Sequence, residues 1–204
     1  MAELEQLILN GNHIEDMTVV GELTRLKRID LSDNRIAAVP SLEGLRGLEE
    51  VDLSSNEITG VGSMKGLDKL RILHISNNHI GDIGFLGDLT GLQHLGFYAN
   101  EIRDISPLEG MNGLESLGLG ANDIGDISVL SGMTGLRYLD ASYAGISDIS
   151  ALAGMAEMEE LDLSGNAIRD ISVLANMPML AQVNLTNNPI ADYSPVDHVI
   201  SVEK

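Results

Sequence analysis

The chain has 204 residues, 12 of them basic and 31 acidic, for a net charge of −19 with histidine neutral, and it has no cysteine. Disulfides and thiolate chemistry are excluded, and so acidic a chain repels nucleic acid and anionic membranes and favours basic protein partners. No stretch approaches the roughly 18 apolar residues of a membrane span, so no membrane insertion is expected. Leu4 enters the first periodic segment almost at once, so no signal peptide is expected. The same charge also serves to keep a protein with exposed strand edges soluble.

From Leu4 onward one phrase recurs every 22 residues: Leu-x-x-Leu-x-Leu-x-x-Asn-x-Ile, then a second apolar stretch. Copies begin at Leu4, Leu26, Leu48, Leu70, Leu92, Leu114, Leu136, Met158 and Leu180, which makes nine, and no linker interrupts them. A fixed period of this size predicts stacked units, so residues 1–204 read as one domain. Each copy opens with period-2 alternation, as in Leu48-Glu-Glu-Val51-Asp-Leu53, which predicts a short strand with one buried face. The later apolar residues are spaced by three, as at Ile58, Val61, Met64 and Leu67, and predict a tight turn or a short 3-10 segment. Five of the last six copies read close to Ile-x-Asp-Ile-Ser, and Asp104, Asp126, Asp148 and Asp170 stand where a carboxylate caps the following turn. Eight of the nine copies place Asn at the same point, from Asn12 to Asn188. A buried Asn there satisfies backbone groups of its own and the next coil, and stacked copies form a ladder. Copy seven has Ala144 in place of Asn and Ala141 in place of Leu, which predicts a local defect, by strain or by an inserted water.

These residues, as in Leu114-x-x-Leu117-x-Leu119-x-x-Asn122-x-Ile124-x-Asp126-Ile127, resemble leucine-rich repeats of the 22-residue class. The repeats are most similar to those of bacterial internalins, and secondarily to the intracellular repeat subunit that regulates protein phosphatase 1. The resemblance implies an α/β repeat solenoid: a right-handed horseshoe with a concave parallel β-sheet and short 3-10 segments and turns on the convex side. It further implies a non-enzymatic module binding a protein on the concave face, as an internalin-like adhesin at a bacterial surface or secreted. The alternative is an intracellular scaffold that restrains an enzyme such as a phosphatase.

Counting the first Leu of each copy as position 1, the residues at positions 3 and 5 point out of the sheet onto the concave face, and positions 7 and 8 continue along its rim. Three of the four tyrosines, Tyr98, Tyr138 and Tyr143, fall on this face in copies five to seven. They border Gly96, Gly118 and Gly120, with Ile72, His74 and His94 on the other side. Exposed tyrosines around a shallow floor are characteristic of binding hot spots, although scattered surface tyrosines are also ordinary. Asp30, Glu50 and Asp52 flank this patch on one side, and Asp140, Glu160 and Asp162 on the other. The partner-binding set read from the sequence is therefore Ile72, His74, His94, Tyr98, Tyr138 and Tyr143, with Asp52, Asp140 and Asp162 steering a basic partner.

Other chemistries find little support. His74 and His94 stand ~7–8 Å apart by sheet geometry, and a zinc site needs three or four converging ligands. One Asp per repeat is too sparse for calcium. The recurring serines reflect the repeat rather than a nucleophile with an oriented base, and Gly118-Leu-Gly120 lies in a strand, not in a phosphate loop. No catalytic residue, metal or cofactor is expected. Terminal strands near residues 6–9 and 182–185 would carry open edges, which predicts end-to-end self-association or neighbouring sequence.

Overall fold

The computed structural model describes residues 3–204. In copies two to nine the alternation becomes a three-residue strand whose central side chain is buried and whose two neighbours face outward, as where Val51 is fully buried between Glu50 and Asp52; in copy one Leu7 is only partly buried. The strands are β1 (Gln6–Ile8), β2 (Arg28–Asp30), β3 (Ala38–Val39), β4 (Glu50–Asp52), β5 (Gly60–Val61), β6 (Ile72–His74), β7 (His94–Gly96), β8 (Ser116–Gly118), β9 (Tyr138–Asp140), β10 (Glu160–Asp162), β11 (Gln182–Asn184) and β12 (Ser201–Glu203). Among the described residues, ten of them form one parallel sheet in the order β1-β2-β4-β6-β7-β8-β9-β10-β11-β12. Equivalent residues pair across it, as Leu117 with Leu139 and Leu139 with Leu161. The Leu, Ile, Val and Met positions of successive coils merge into a continuous apolar core behind the sheet. This is the horseshoe leucine-rich-repeat architecture, with the parallel sheet on one side and 3-10 turns on the other.

The nine copies read from the sequence leave out the tenth strand of this sheet. β12 starts 19 residues after β11 rather than 22 (Gln182 to Ser201) and is hydrogen-bonded to it in register. Only the first two apolar positions of the motif, Val199 and Val202, are present there, matching Leu180 and Val183. The expectation of an open edge near residues 182–185 is corrected accordingly, because β11 is paired on both sides, by β10 and β12.

The turn off each strand has a fixed form. The residue before the Asn column takes a left-handed conformation in all nine copies: Gly11, Asp33, Ser55, Asn77, Ala99, Ala121, Tyr143, Gly165 and Asn187, with φ between 50° and 69°. The Asn that follows closes the corner. Asn56 Oδ1 accepts from Ile36 N at 3.0 Å, and its Nδ2 donates to Leu31 O and Leu53 O at 3.0 Å and to Ser54 O at 3.3 Å. Asn34, Asn78, Asn122, Asn166 and Asn188 repeat this arrangement. Each Asn thus joins its own coil to the preceding one, not to the next as expected. Among the described residues, Asn12 has no such earlier partner, and its side chain bonds only to Leu9 O and Asn10 O.

Copy seven carries no break. Where Asn would accept from the preceding coil, the Ala144 carbonyl does so, from Ile124 N at 3.1 Å and Gly125 N at 2.9 Å. Asn166 Oδ1 then accepts from both Ala144 N (3.1 Å) and Ile146 N (2.9 Å). Alanine has no side-chain acceptor, so a backbone carbonyl takes over, and Gly145 at φ +73° and Gly125 at φ +69° permit the altered corner. The missing amide is thus replaced by a backbone carbonyl, and the strain expected in this copy falls on Tyr143, whose corner has φ +50°.

The Asp column selects the convex-side structure. Asp stands there in copy one and in copies four to nine, and each of these builds a 3-10 segment: Thr18–Glu22, Gly84–Asp88, Ser106–Leu108, Ser128–Leu130, Ser150–Leu152, Ser172–Asn176 and Ser194–Val196. In each, the Asp Oδ1 accepts from the backbone N–H two residues on, at 2.8–2.9 Å. Copies two and three have Ala38 and Gly60 instead, and their backbone stays extended as β3 and β5, which pair in parallel. Pro40 reinforces this by holding Val39 extended. The amide hydrogen bonds hold the carboxyls of Asp16, Asp104, Asp148, Asp170 and Asp192 below their ordinary value.

Two tests follow. Asn56→Ala strands a buried N–H and buried carbonyls in two coils and should lower stability by about 2–4 kcal/mol in urea unfolding, whereas Asn12→Ala should be near neutral; equal losses would contradict the inter-coil role. Because the Asp148 carboxyl is depressed, its stabilisation is complete above the ordinary value of 3.8 and is lost as the pH falls through its folded value. The melting-temperature gap between wild type and Asp148→Ala should therefore be full at neutral pH and narrow below that value; a constant gap would refute the assignment.

Candidate functional site

The sheet sets the geometry of the concave face. Register places Asp52 beside His74, Ile72 beside His94, and His74 beside Gly96. Further along, Ser116 lies beside Tyr138, Gly118 beside Asp140, Tyr138 beside Glu160, and Asp140 beside Asp162. Neighbouring parallel strands are ~4.8 Å apart, so these carboxylates share one field.

The concave carboxylates are oriented by their own turns. Asp140 Oδ1 accepts from Ser142 N at 3.0 Å and from Ser142 Oγ at 2.6 Å; Asp52 accepts from Ser54 N at 2.9 Å, and Asp162 from Ser164 N at 2.8 Å. Asn184 Nδ2 reaches Asp162 Oδ2 at 3.1 Å. Among the described residues, no Lys, Arg or His forms an ion pair with Asp52, Asp140 or Asp162. The recurrent Asp-x-Ser spacing therefore has a structural use, and it also leaves acidic oxygens facing outward.

The three concave tyrosines are exposed, Tyr98 at 39%, Tyr138 at 38% and Tyr143 at 57%. Each has its own local partner. Tyr98 packs over Gly120, where a Cβ would lie 3.0 Å from its Cδ2. Tyr143 lies against Gly165, in the eighth copy. Tyr138 donates its hydroxyl to Glu159 Oε2 at 3.0 Å. Each of the three leans on a different neighbour. The fourth, Tyr193, packs against the core under Lys204 Nζ, 4.9 Å from the ring centroid.

Glu159 is the hub of an exposed trio, since Arg137 Nε donates to its Oε1 at 2.9 Å while Tyr138 donates to Oε2. The hydrogen bonds from Arg137 and then Tyr138 hold the Glu159 carboxyl below its ordinary value. The bond to Glu159 and that carboxylate's charge hold the Tyr138 phenol above 10.0. Arg137 and Glu159 both sit at position 2, which the strand-face columns omit.

An open hollow of about 430 Å³ runs along the face from β8 to β12, lined by Ser116, Gly118, Tyr138, Asp140, Glu160, Asp162, Gln182, Asn184, Ser201 and Glu203. It gathers Tyr138, Asp140 and Asp162. Asp52, Ile72, His74, His94 and Tyr98 lie outside it, on the copy-three to copy-five part of the same sheet, and Tyr143 stands at the rim beyond β9. Sequence reasoning missed Ser201 and Glu203 as part of this hollow because β12 carries only the Val199-x-x-Val202 fragment of the motif. His74 leans over Gly96, where a Cβ would lie 3.1 Å from its Nδ1. Among the described residues, no group of three or more His, Cys, Asp or Glu is arranged to hold a metal ion. No helix among them is long and apolar enough to cross a membrane.

Leucine-rich-repeat family profiles match residues 24–80, residues 68–110 (a two-copy profile) and residues 158–175. No curated protein matches the sequence. Internalin C2 of Listeria monocytogenes is 28% identical with a TM-score of 0.70, over 97% of this chain and 79% of that one. A TLR13–ssRNA13 complex is matched at 26% identity and a TM-score of 0.73, over 91% of this chain and 29% of that one. The plant peptide hormone receptor RGFR1, in complex with RGF2, shares the fold at 18% identity and a TM-score of 0.78, over 93% of this chain and 33% of the receptor. The strand-and-turn solenoid defines a class of repeat proteins built for recognition. Within it, this chain belongs to the leucine-rich repeat family, with repeats resembling those of the internalins.

The hub role of Glu159 is testable. Glu159→Gln should bring the Tyr138 phenol down toward 10.0 in a carbon NMR titration of labelled tyrosines, and an unmoved titration would exclude the contact.

Proposed function

We propose that this protein is a non-enzymatic recognition module that binds a basic protein partner on its concave face, as an internalin-like binding domain. The observation that carries this reading is the hollow along β8–β12, where Asp140, Glu160, Asp162 and Glu203 stand with Tyr138 and, among the described residues, no basic side chain lines the hollow. A carboxylate held by its own turn is already oriented, so it gives up little entropy when a Lys or Arg arrives. Tyr138 supplies apolar area with a polar tip, the combination that dominates interface energetics. Ile72, His74, His94, Tyr98 and Asp52 extend the same face and form the second half of the footprint. A nucleic acid is disfavoured as occupant because its phosphates would meet these carboxylates.

The similarity to internalin C2 supports a role as a binding domain, and RGFR1, bound to RGF2, is a related solenoid engaged with a second molecule. The recurring Asp and Ser residues are used up in turns, which supports a module without catalytic machinery.

The test uses the partner recovered with the wild-type protein. Tyr138→Ala should weaken its affinity by ~2 kcal/mol. Asp140→Asn combined with Asp162→Asn should slow association and flatten its salt dependence. Lys65→Ala, on the opposite side, should change nothing. Unchanged binding by both concave variants would place the interface elsewhere.

A further inference from the structure

The seventh coil departs from the pattern at three linked points, and they meet at Tyr143. Its left-handed corner, filled by Gly, Asp, Ser, Asn or Ala in the other eight copies, holds a tyrosine at φ +50°. A bulky side chain in that region is a conformational outlier. Burial does not offset it, since Tyr143 is the most exposed tyrosine of the three. The corner is nevertheless pinned on both sides: Tyr143 N donates to Ser164 O at 2.8 Å and Ala144 N to Asn166 Oδ1 at 3.1 Å. The ring rests where Gly165 leaves room, for a Cβ on Gly165 would lie 2.4 Å from its Cδ1 and Cε1.

A strained, exposed and pinned aromatic residue contributes little to its own fold, and such outliers concentrate where function holds them. Tyr143 lines a shallow hollow with Glu101, Arg103 and Asp123. Arg103 Nε is 3.3 Å from Asp123 and His79 Nδ1 is 3.2 Å from Glu101, so two carboxylates face one permanent cation. An aromatic ring beside a net acidic surface recognises a cationic side chain, and Lys204 over Tyr193 shows the same pairing within this chain.

We propose that Tyr143 is a recognition residue that receives a Lys or Arg side chain of the protein partner at the rim of the concave face, and that Gly165 is its positioning residue. The proposal rests on the reading of this chain as a protein-recognition module.

The test has two arms. In the first, Tyr143→Asn places a residue suited to the left-handed corner and should leave the melting temperature unchanged or raise it by roughly 2–4 °C. A fall of several degrees would make Tyr143 structural and overturn the proposal. In the second, Nα-acetyl-arginine amide is titrated into the whole protein while backbone amide shifts are followed. Saturable shifts should appear at Tyr143, Glu101 and Asp123. Tyr143→Asn should weaken the probe about two- to fivefold; Tyr143→Phe should preserve binding, and Gly165→Ala should weaken it by displacing the ring. Shifts confined to β9 and β10 would overturn the rim site while leaving the concave-face reading standing, and shifts nowhere, or equal in all variants, would overturn the rim site as well.

Discussion

Everything in this molecule depends on one recurring contact, the Asn side chain that joins each corner to the coil before it. A solenoid has no hairpin turns to fix its register, so the strands align only if each coil is locked to its neighbour at a defined residue. The amide does this with both ends, accepting from an Ile N–H twenty residues earlier and donating to carbonyls of two coils. A hydrophobic core alone would tolerate sliding. A buried amide does not, because a displaced donor or acceptor would stay unpaired. The left-handed residue before each Asn aims that amide inward, and the Asp column then decides whether the chain continues as a 3-10 turn or as an extended strand.

That locking is what makes a surface out of residues far apart in the chain. Tyr138, Glu160 and Gln182 become lateral neighbours because their strands are in register, as do Asp140, Asp162 and Asn184. The cost is electrostatic, since in-register copies of an acidic motif stack like charges at strand spacing. Two devices soften it: glycines and histidines interrupt the acidic column at copies four to six, and Asn184 donates to Asp162. A basic partner of the kind proposed would relieve what repulsion persists over β9 to β12, so the tension within the face and its proposed selectivity have one origin.

Much of this was legible in the sequence because the period constrains every copy at once. The strand, the Asn corner and the Asp-capped turn each appear many times, and a signal repeated at fixed spacing survives individual exceptions. What was not legible depended on single copies. β12 was invisible because it retains two apolar positions and a shortened connection. Ala144 read as a defect because side-chain identity does not reveal that a neighbouring carbonyl can turn to replace the missing oxygen. The tyrosines were placed on the right face by their column numbers, yet ring direction depends on local partners, Gly120, Gly165 and Glu159, that periodicity does not encode. The extended stretches of copies two and three were not anticipated: the apolar spacing of Ile58, Val61, Met64 and Leu67 suggested a tight turn or 3-10 segment, but the carboxylate that starts one is absent at Ala38 and Gly60, and β3 and β5 form instead.

The central claim is that the ladder passes unbroken through the seventh coil, so that the face on either side of it is one rigid surface. Native-state hydrogen exchange of the Ile column tests this most directly. Ile36, Ile58 and Ile102, bonded to Asn oxygens, should exchange slowly, and Ile124, bonded to the Ala144 carbonyl, should exchange as slowly as they do. An Ile124 amide that exchanges at the rate of an open loop would show that the solenoid divides at copy seven, and a single rigid face spanning β1 to β12 would be contradicted.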